Sequence, residues 1–479
     1  MANSIYTDIK KHFILPDKKA LSRKYLKARL GIRKTDKGSE TVTPKKAAKY
    51  LVQKRLHMLR LSDSDTIYLY DFVQNYYVKA DNTTLAKIVL EVLSEYDPDL
   101  FYVGIDRKII DYMNIYCRQL ELSQLSDQLS LVHFPNGTYD VRTHTFSDKI
   151  EDFGFCTSVV DYEYDENAGE PKRFLAFLDD IFEGDSELIA LVRDMFGYTF
   201  WNGNEGGCFF YLTGSGRNGK SILASILQSL HGDELCSGTS LQKLTTEKFA
   251  LSELYQKRIN ISSENGEDIV KNTEIIKGIT GQDKLSIEAK YMPSFSARLS
   301  VKLITLSNFP LHVNDTSFAL FERLIAIPFG VTYHKPVPKA ERKPNVKYQD
   351  PFLLDKLKAE LPAIFLWAME ALKDLEARKF RFTPCKKAEQ LKDAYRRINN
   401  PLIDFISCLE ADDTARIRST EMYRKFKRFI EQEEMTLPDK LKTPQGFHTA
   451  LKQLLDEKNV NYQFKKSNGS RYYLGLKLK

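Results

Sequence analysis

Apolar positions along the chain alternate between helical spacing and short continuous runs of strand type, and the changes between the two predict its elements. Over residues 10–60, Leu21, Tyr25, Leu26 and Leu30 keep helical spacing among many Lys and Arg, and the pattern loosens at Thr35-Asp36-Lys37-Gly38-Ser39. This predicts a basic helical arm (1–60) and a flexible link. Residues 67–70 and 76–78 predict paired short strands, followed by helical segments to about Leu131, and Asn136-Gly137 marks a tight turn between strands. Two helices are expected over 172–200, the first with Phe174, Phe177, Leu178 and Ile181 on one face. Strand signals follow at 208–212, 258–262 and 301–306, then a Pro-rich connector (333–351) and a helix over about 351–378.

The C-terminal pattern starts with a helix over 419–434, with Met422, Phe426, Phe429 and Ile430 on its apolar face. Thr443-Pro444, an N-cap residue before proline at the first helical position, opens a second helix to about Lys458 with Phe447, Leu451, Leu454 and Leu455 inward. Strands at 460–465 and 471–478 make a hairpin with Lys465, Lys466 and Arg471 near its tip. Helix, helix, basic hairpin is the order of a winged helix. Its second helix would offer Gln445, His448, Thr449 and Lys452 to a major groove, with the hairpin on backbone or minor groove; a winged helix used only for protein contacts is the alternative.

Composition changes this picture little, and charge changes it more. The 479 residues exceed a single core and suggest about three domains. No apolar run approaches the roughly 18–20 residues that span a bilayer, and the N-terminal residues lack a signal-peptide pattern, so a cytoplasmic protein without membrane contact is expected. Six scattered cysteines without a C-x-x-C pair argue against zinc or a disulfide framework. The net charge of +7 is uneven: residues 1–60 hold 17 Lys and Arg against 4 Asp and Glu, and 414–479 hold 15 against 7, leaving −14 between them. Basic ends around an acidic middle fit terminal nucleic-acid contacts, or ordinary solvated helix faces.

Candidate chemistry is concentrated at residues 214–221. Gly214, Ser215, Gly216, Arg217, Asn218, Gly219, Lys220 and Ser221 satisfy the pattern G-x-x-x-x-G-K-[ST] between a strand-type run and a helical one. The glycines let backbone N–H groups curl toward phosphate oxygens, Lys220 would neutralise β- and γ-phosphate charge, and Ser221 would ligate Mg²⁺. ATP and Mg²⁺ are therefore the expected cofactors. The strand over 258–262 runs on to an acid, Glu264, placed to polarise water or hold Mg²⁺; Ser263 stands where many ATPases have Asp, so the division of labour is open. The strand over 301–306 leads to Asn308, an amide available to sense γ-phosphate or orient water. Arg323 just before the apolar run 324–329 could serve a neighbour's site as a finger.

In this order and this compactly, the phosphate loop, Glu264, the stretch 276–283, Asn308 and Arg323-x-Ile-x-Ile-Pro-Phe resemble a superfamily 3 helicase, more narrowly the helicase half of phage, plasmid and mobile-island primase-helicases. Residues 134–140 and 174–198 also resemble the domain preceding the motor in that group and in poxvirus relatives. The resemblance covers roughly residues 64–400. It implies an α/β fold: an AAA+ P-loop ATPase core (176–385), a mainly α (α+β) N-terminal domain (61–175) before it and a winged helix (395–479) after it. It further implies a homo-hexameric ring, ATP hydrolysis at subunit interfaces and 3′ to 5′ movement on single-stranded DNA. Alternation on both sides of Met292-Pro293-Ser294 suggests a hairpin, which in this family enters the ring channel; Lys290, with Lys284 or Arg298, would contact phosphates there and Tyr291 would stack. Too few residues precede residue 61 for a polymerase-type site, so a helicase served by a separate primase is expected. The rival readings are a P-loop kinase or metabolic NTPase, and an origin-binding initiator without productive unwinding.

Overall fold

The computed structural model describes residues 8–478 apart from 37, 62–65, 122–127, 150–153, 265–269, 271, 291–292, 314–317, 339–340, 342, 436 and 468. The chain forms two compact units, one of residues 1–168 with 229–234, the other of residues 169–228 with 235–479.

In the first unit, α1 (Ile9–Phe13), α2 (Arg23–Leu30) and α3 (Pro44–Tyr50) share one core with α4 (Asn82–Ser94) and α5 (Ile105–Tyr116). Phe13, Leu26, Leu30, Ala47, Ile88, Val92 and Ile109 are all buried there, while Lys10, Arg23, Lys24, Lys27 and Arg29 stay in solvent. The expectation of a basic arm is corrected: Phe13, Leu26, Leu30, Val42, Ala47 and Leu51 face a shared core, while Leu21 and Ala28 are exposed. A two-stranded ribbon, β1 (Arg33–Lys34) and β2 (Glu40–Thr41), flanks the expected link, and Thr35 N donates to Ser39 O at 2.8 Å. Arg55 anchors this region from inside, donating from Nη1 and Nη2 to Glu95 at 2.6 and 2.8 Å and from Nε to Leu15 O at 2.7 Å. The strands β3 (Met58–Leu61), β4 (Ile67–Asp71), β5 (Tyr76–Lys79) and β6 (Arg118–Leu120) form a sheet of order β5-β4-β3-β6, with β6 parallel to β3. An antiparallel meander, β7 (Leu131–Phe134), β8 (Gly137–Asp140) and β9 (Thr145–Ser147), turns at Pro135-Asn136.

The second unit opens with α6 (Lys172–Phe182) and α7 (Ser186–Phe200) and is built on a five-stranded parallel sheet. Its strands are β10 (Phe209–Thr213), β11 (Cys236–Ser237), β12 (Ile259–Glu264), β15 (Lys302–Ser307) and β16 (Leu324–Pro328), in the order β11-β12-β15-β10-β16. Continuous apolar runs suit strands covered on both faces, and every residue of β15 is buried. The helix α8 (Lys220–His231) follows β10, and α9 (Leu241–Thr246) and α10 (Glu274–Thr280) flank β12 in sequence. A hairpin of β13 (Leu285–Ile287) and β14 (Phe295–Ala297) precedes β15, and the short α11 (Phe318–Phe321) precedes β16. The helix expected over 351–378 is two, α12 (Leu353–Lys358) and α13 (Leu361–Ala377), with Pro362 in the first turn of the second. Next comes α14 (Lys386–Asn399), whose Tyr395 belongs to the core beside the sheet.

The C-terminal part has its own core of Met422, Phe426, Phe447, Leu451 and Tyr473. It runs α15 (Leu402–Phe405), β17 (Leu409–Arg418), α16 (Ser419–Gln432), α17 (Pro444–Glu457), β18 (Gln463–Ser467) and β19 (Ser470–Leu478). The sheet is antiparallel, in the order β17-β19-β18.

Candidate functional site

Parallel register gathers the candidate nucleotide residues at one edge of the sheet. Thr213 of β10 pairs with Ser307 of β15, and Ser307 pairs with Glu264 of β12. With neighbouring strands about 4.8 Å apart, these three strand ends span about 10 Å, and each leads directly into, or is, a candidate residue. The loop after Thr213 curls through positive φ at Gly216 (91°), Arg217 (50°) and Gly219 (91°). A Cβ at Gly219 would also lie 2.8 Å from Ile181 Cγ2 of α6, so glycine is required there twice over. Lys220 begins α8 almost fully buried; its Nζ donates to Gly214 O at 2.7 Å and to Asn308 Oδ1 at 3.1 Å. Burial pushes its pKa down to about 8. Asn218 is buried and donates to Phe329 O at 3.4 Å, tying the loop to the chain beyond β16, while Ser215 and Ser221 are exposed. Alternating backbone of this kind, at the start of a helix and with one buried ammonium, fits the phosphates of a nucleoside triphosphate.

Arg323 stands elsewhere. Phe209 pairs with Leu324 and its N–H donates to Arg323 O at 2.8 Å, so this arginine lies at the amino edge of β10 and β16, opposite the loop. Its Nη1 donates to Ala319 O at 2.7 Å and the side chain is half-buried. The β13–β14 hairpin is also connected to the amino end of β15. Lys284, Lys290 and Arg298 on it are exposed, Arg298 Nε donating to Gln282 O at 3.1 Å; Tyr291 lies outside the described residues. A group that sequence reasoning passed over is Lys302, fully buried at the start of β15. Its Nζ donates to Trp201 O (2.8 Å), Gly203 O (2.6 Å) and Ser300 O (2.6 Å), and burial pushes its pKa down to about 7.

In the C-terminal part, Gln445, His448, Thr449, Lys452 and Arg471 line one cleft of about 670 Å³, together with Tyr423. The Tyr473 hydroxyl, whose pKa burial raises, and His448 Nδ1 share a hydrogen bond of 2.9 Å. Burial, reinforced by Lys452 and Arg471, lowers the His448 pKa to about 4, so the ring is neutral near pH 7. Lys452 Nζ sits 4.9 Å from the centre of the Phe464 ring. The hairpin-tip cations divide: Lys466 pairs with Arg471 on the face of Phe464 and Tyr473, whereas Lys465 pairs with Tyr472 on the other.

Fold and site together define a mixed α/β protein with a parallel sheet and a phosphate-sized loop at its carboxyl edge. Residues 40–183 match the family described as D5 N terminal like, residues 397–477 the family described as Poxvirus D5 protein-like, and residues 212–323 a family of unknown function (DUF5906). The first two matches support a D5-like family. Curated relatives include the protein named "Putative helicase L207/L206" of Acanthamoeba polyphaga mimivirus, 27% identical over 218 residues (43% of this chain, 22% of the relative). "Putative helicase 022R" of Frog virus 3 is 22% identical over 281 residues (54% of this chain, 28% of the relative). The chain thus spans about a quarter of the length of these relatives. Among solved structures, the apo C-terminal region of NrS-1 aligns at 12% identity with a TM-score of 0.49, covering 91% of this chain and 99% of that one. Among the described residues no helix is long and apolar enough to cross a membrane.

Proposed function

We propose that this chain is the motor of an ATP-dependent DNA helicase of superfamily 3, a D5-like primase-helicase relative acting in replication of a mobile element. The observation that carries this reading is the single row of Thr213, Ser307 and Glu264, with Lys220 reaching across it to Asn308. In this reading residues 176–385 are the AAA+ core, preceded by the domain over 61–175. The loop 214–219 cradles the triphosphate and Lys220 meets its β,γ end. Ser221 and Glu264 would hold Mg²⁺, which would supply positive charge against that developing on the triphosphate. Asn308 orients the attacking water, and Arg323 completes the site of a neighbouring subunit in a hexameric ring. Lys284, Lys290, Tyr291 and Arg298 line a channel for single-stranded DNA traversed 3′ to 5′, and a separate primase starts the strands.

The C-terminal part is a winged helix. Its order of helix, strand, helix, helix and two strands supports this, as does the β17-β19-β18 sheet. Gln445, His448, Thr449 and Lys452 of α17 face duplex DNA, flanked by Lys466 and Arg471, while Lys465 lies on the other face of the hairpin. Purified protein should hydrolyse ATP faster with single-stranded DNA present and separate a forked substrate, and Lys220→Ala should lower turnover by about 100-fold. ATP turnover indifferent to DNA, or no strand separation by the wild type, would sink the helicase reading.

A further inference from the structure

The C-terminal sheet turns only one face to its helices. Ile417, Tyr473 and Phe464 form the inward row; the register places Arg418, Tyr472 and Lys465 in one outward row and Arg416, Leu474 and Gln463 in the next. Arg416, Arg418, Lys465 and Gln463 are exposed, and Tyr472 and Leu474 are half-exposed. The guanidinium carbons of Arg416 and Arg418 lie 5.6 and 5.9 Å from the centre of the Tyr472 ring, and Arg418 Nε donates to Tyr472 Oη at 3.2 Å. Ring and guanidinium groups therefore form a preorganised cluster. The two rows hold three cations and no carboxylate. The acids of β17 lie at or before the register shift between Ala411 and Arg416: Glu410 and Asp412 each face Lys477 at 3.5 Å, and Asp413 is an exposed residue within the shift, outside the two rows. Like charges side by side on a sheet repel, and a polyanion relieves that repulsion.

We propose that this outer face binds single-stranded nucleic acid: bases stack on Tyr472 and the guanidinium planes beside it, and Arg416, Arg418 and Lys465 hold the phosphates. A flat surface with an aromatic centre suits unpaired bases, whose faces are free, whereas paired bases offer only edges and backbone. The proposal rests on the reading of α17 as a duplex contact in one respect. Because α17 covers the opposite face of this sheet, the part would hold a duplex on one side and a strand leaving it on the other.

The test uses the full chain without nucleotide, titrated by fluorescence anisotropy with a forked DNA and with a blunt duplex. Tyr472→Ala and the pair Arg416→Gln/Arg418→Gln should each weaken fork binding about ten-fold and leave duplex binding unchanged, which also reports that the fold is intact. The salt dependence of fork binding should fall by about 1.4 in slope for the double variant. A 4-thiothymidine strand should crosslink to the peptide 470–474. Unchanged fork affinity in both variants, loss of duplex binding along with it, or loss of self-association instead would each overturn the proposal. Duplex binding, and DNA-stimulated ATPase of the same preparations once ATP is added, report on the helicase reading separately; a wild type that binds neither DNA removes both.

Discussion

Two buried lysines show how different partners give one residue type different roles. Lys302 places its protons on three carbonyls and lies 4.7 Å from the centre of the Tyr198 ring, an arrangement complete within the fold. Among the described residues Lys220 has two acceptors, Gly214 O and Asn308 Oδ1, and neither is charged. Burial without a counter-ion lowers its pKa from 10.5 to about 8. Between those values the folded protein binds fewer protons here than the unfolded chain, so this site's contribution to stability rises with pH across that window and is least favourable below it. A triphosphate supplies the missing negative charge and raises the pKa again. ATP binding at about pH 8.5 should therefore take up a large fraction of one proton, and affinity should fall as pH rises further. Calorimetry in two buffers of different ionisation enthalpy measures the uptake. It should vanish in Lys220→Ala; uptake persisting in that variant would assign the proton to another group.

At the scale of the element, α17 starts where Thr443 Oγ1 accepts from Gly446 N at 3.1 Å and Pro444 fills the first turn. A Cβ on Gly446 would collide with Lys440 O. Thr443→Ala should cost about 1 kcal/mol, while Gly446→Ala must displace the 439–443 backbone and should cost more. Thermal unfolding ranks the two, and Gly446→Ala should weaken duplex binding while leaving DNA-independent ATPase alone. An equal effect of the two variants would mean that the loop yields easily. The start of α17 was legible because Thr443-Pro444 is a local signal, and β10, β12, β15 and β16 were legible as continuous apolar runs. In contrast, β17 was hidden: Glu410, Asp412, Asp413 and Thr414 carry no apolar alternation, and its pairing with β19 is long-range. Residues 10–60 were misread because charge counting registers the Lys and Arg that cover a surface, not Phe13, Leu26 and Leu30 beneath it. The phosphate loop is a linear motif, but the contact between Lys220 and Asn308 spans 88 positions and arises only from parallel register.

At the scale of the whole molecule, the decisive question is where Arg323 acts. Its carbonyl accepts from Phe209 N at the beginning of β10, whereas the phosphate loop leaves the other end of that strand after Thr213. Five residues of strand separate the two by about 16 Å, more than the roughly 7 Å reach of an arginine side chain. A catalytic role for Arg323 therefore requires another copy of the chain. In a heterologous interface each site takes its loop from one subunit and its arginine from the next. Arg323→Ala alone and Lys220→Ala alone should each lower DNA-stimulated turnover by about 100-fold. Mixed one to one, random assembly leaves about a quarter of the interfaces with both an intact loop and an intact arginine, so about that fraction of wild-type activity should return. If sites must fire in sequence around the ring, the returned activity falls below a quarter but stays above either variant alone. No recovery from a mixture shown by mass to contain both variants in one assembly would place Arg323 outside the chemistry, and its bond to Ala319 O would then account for it as a clamp on α11.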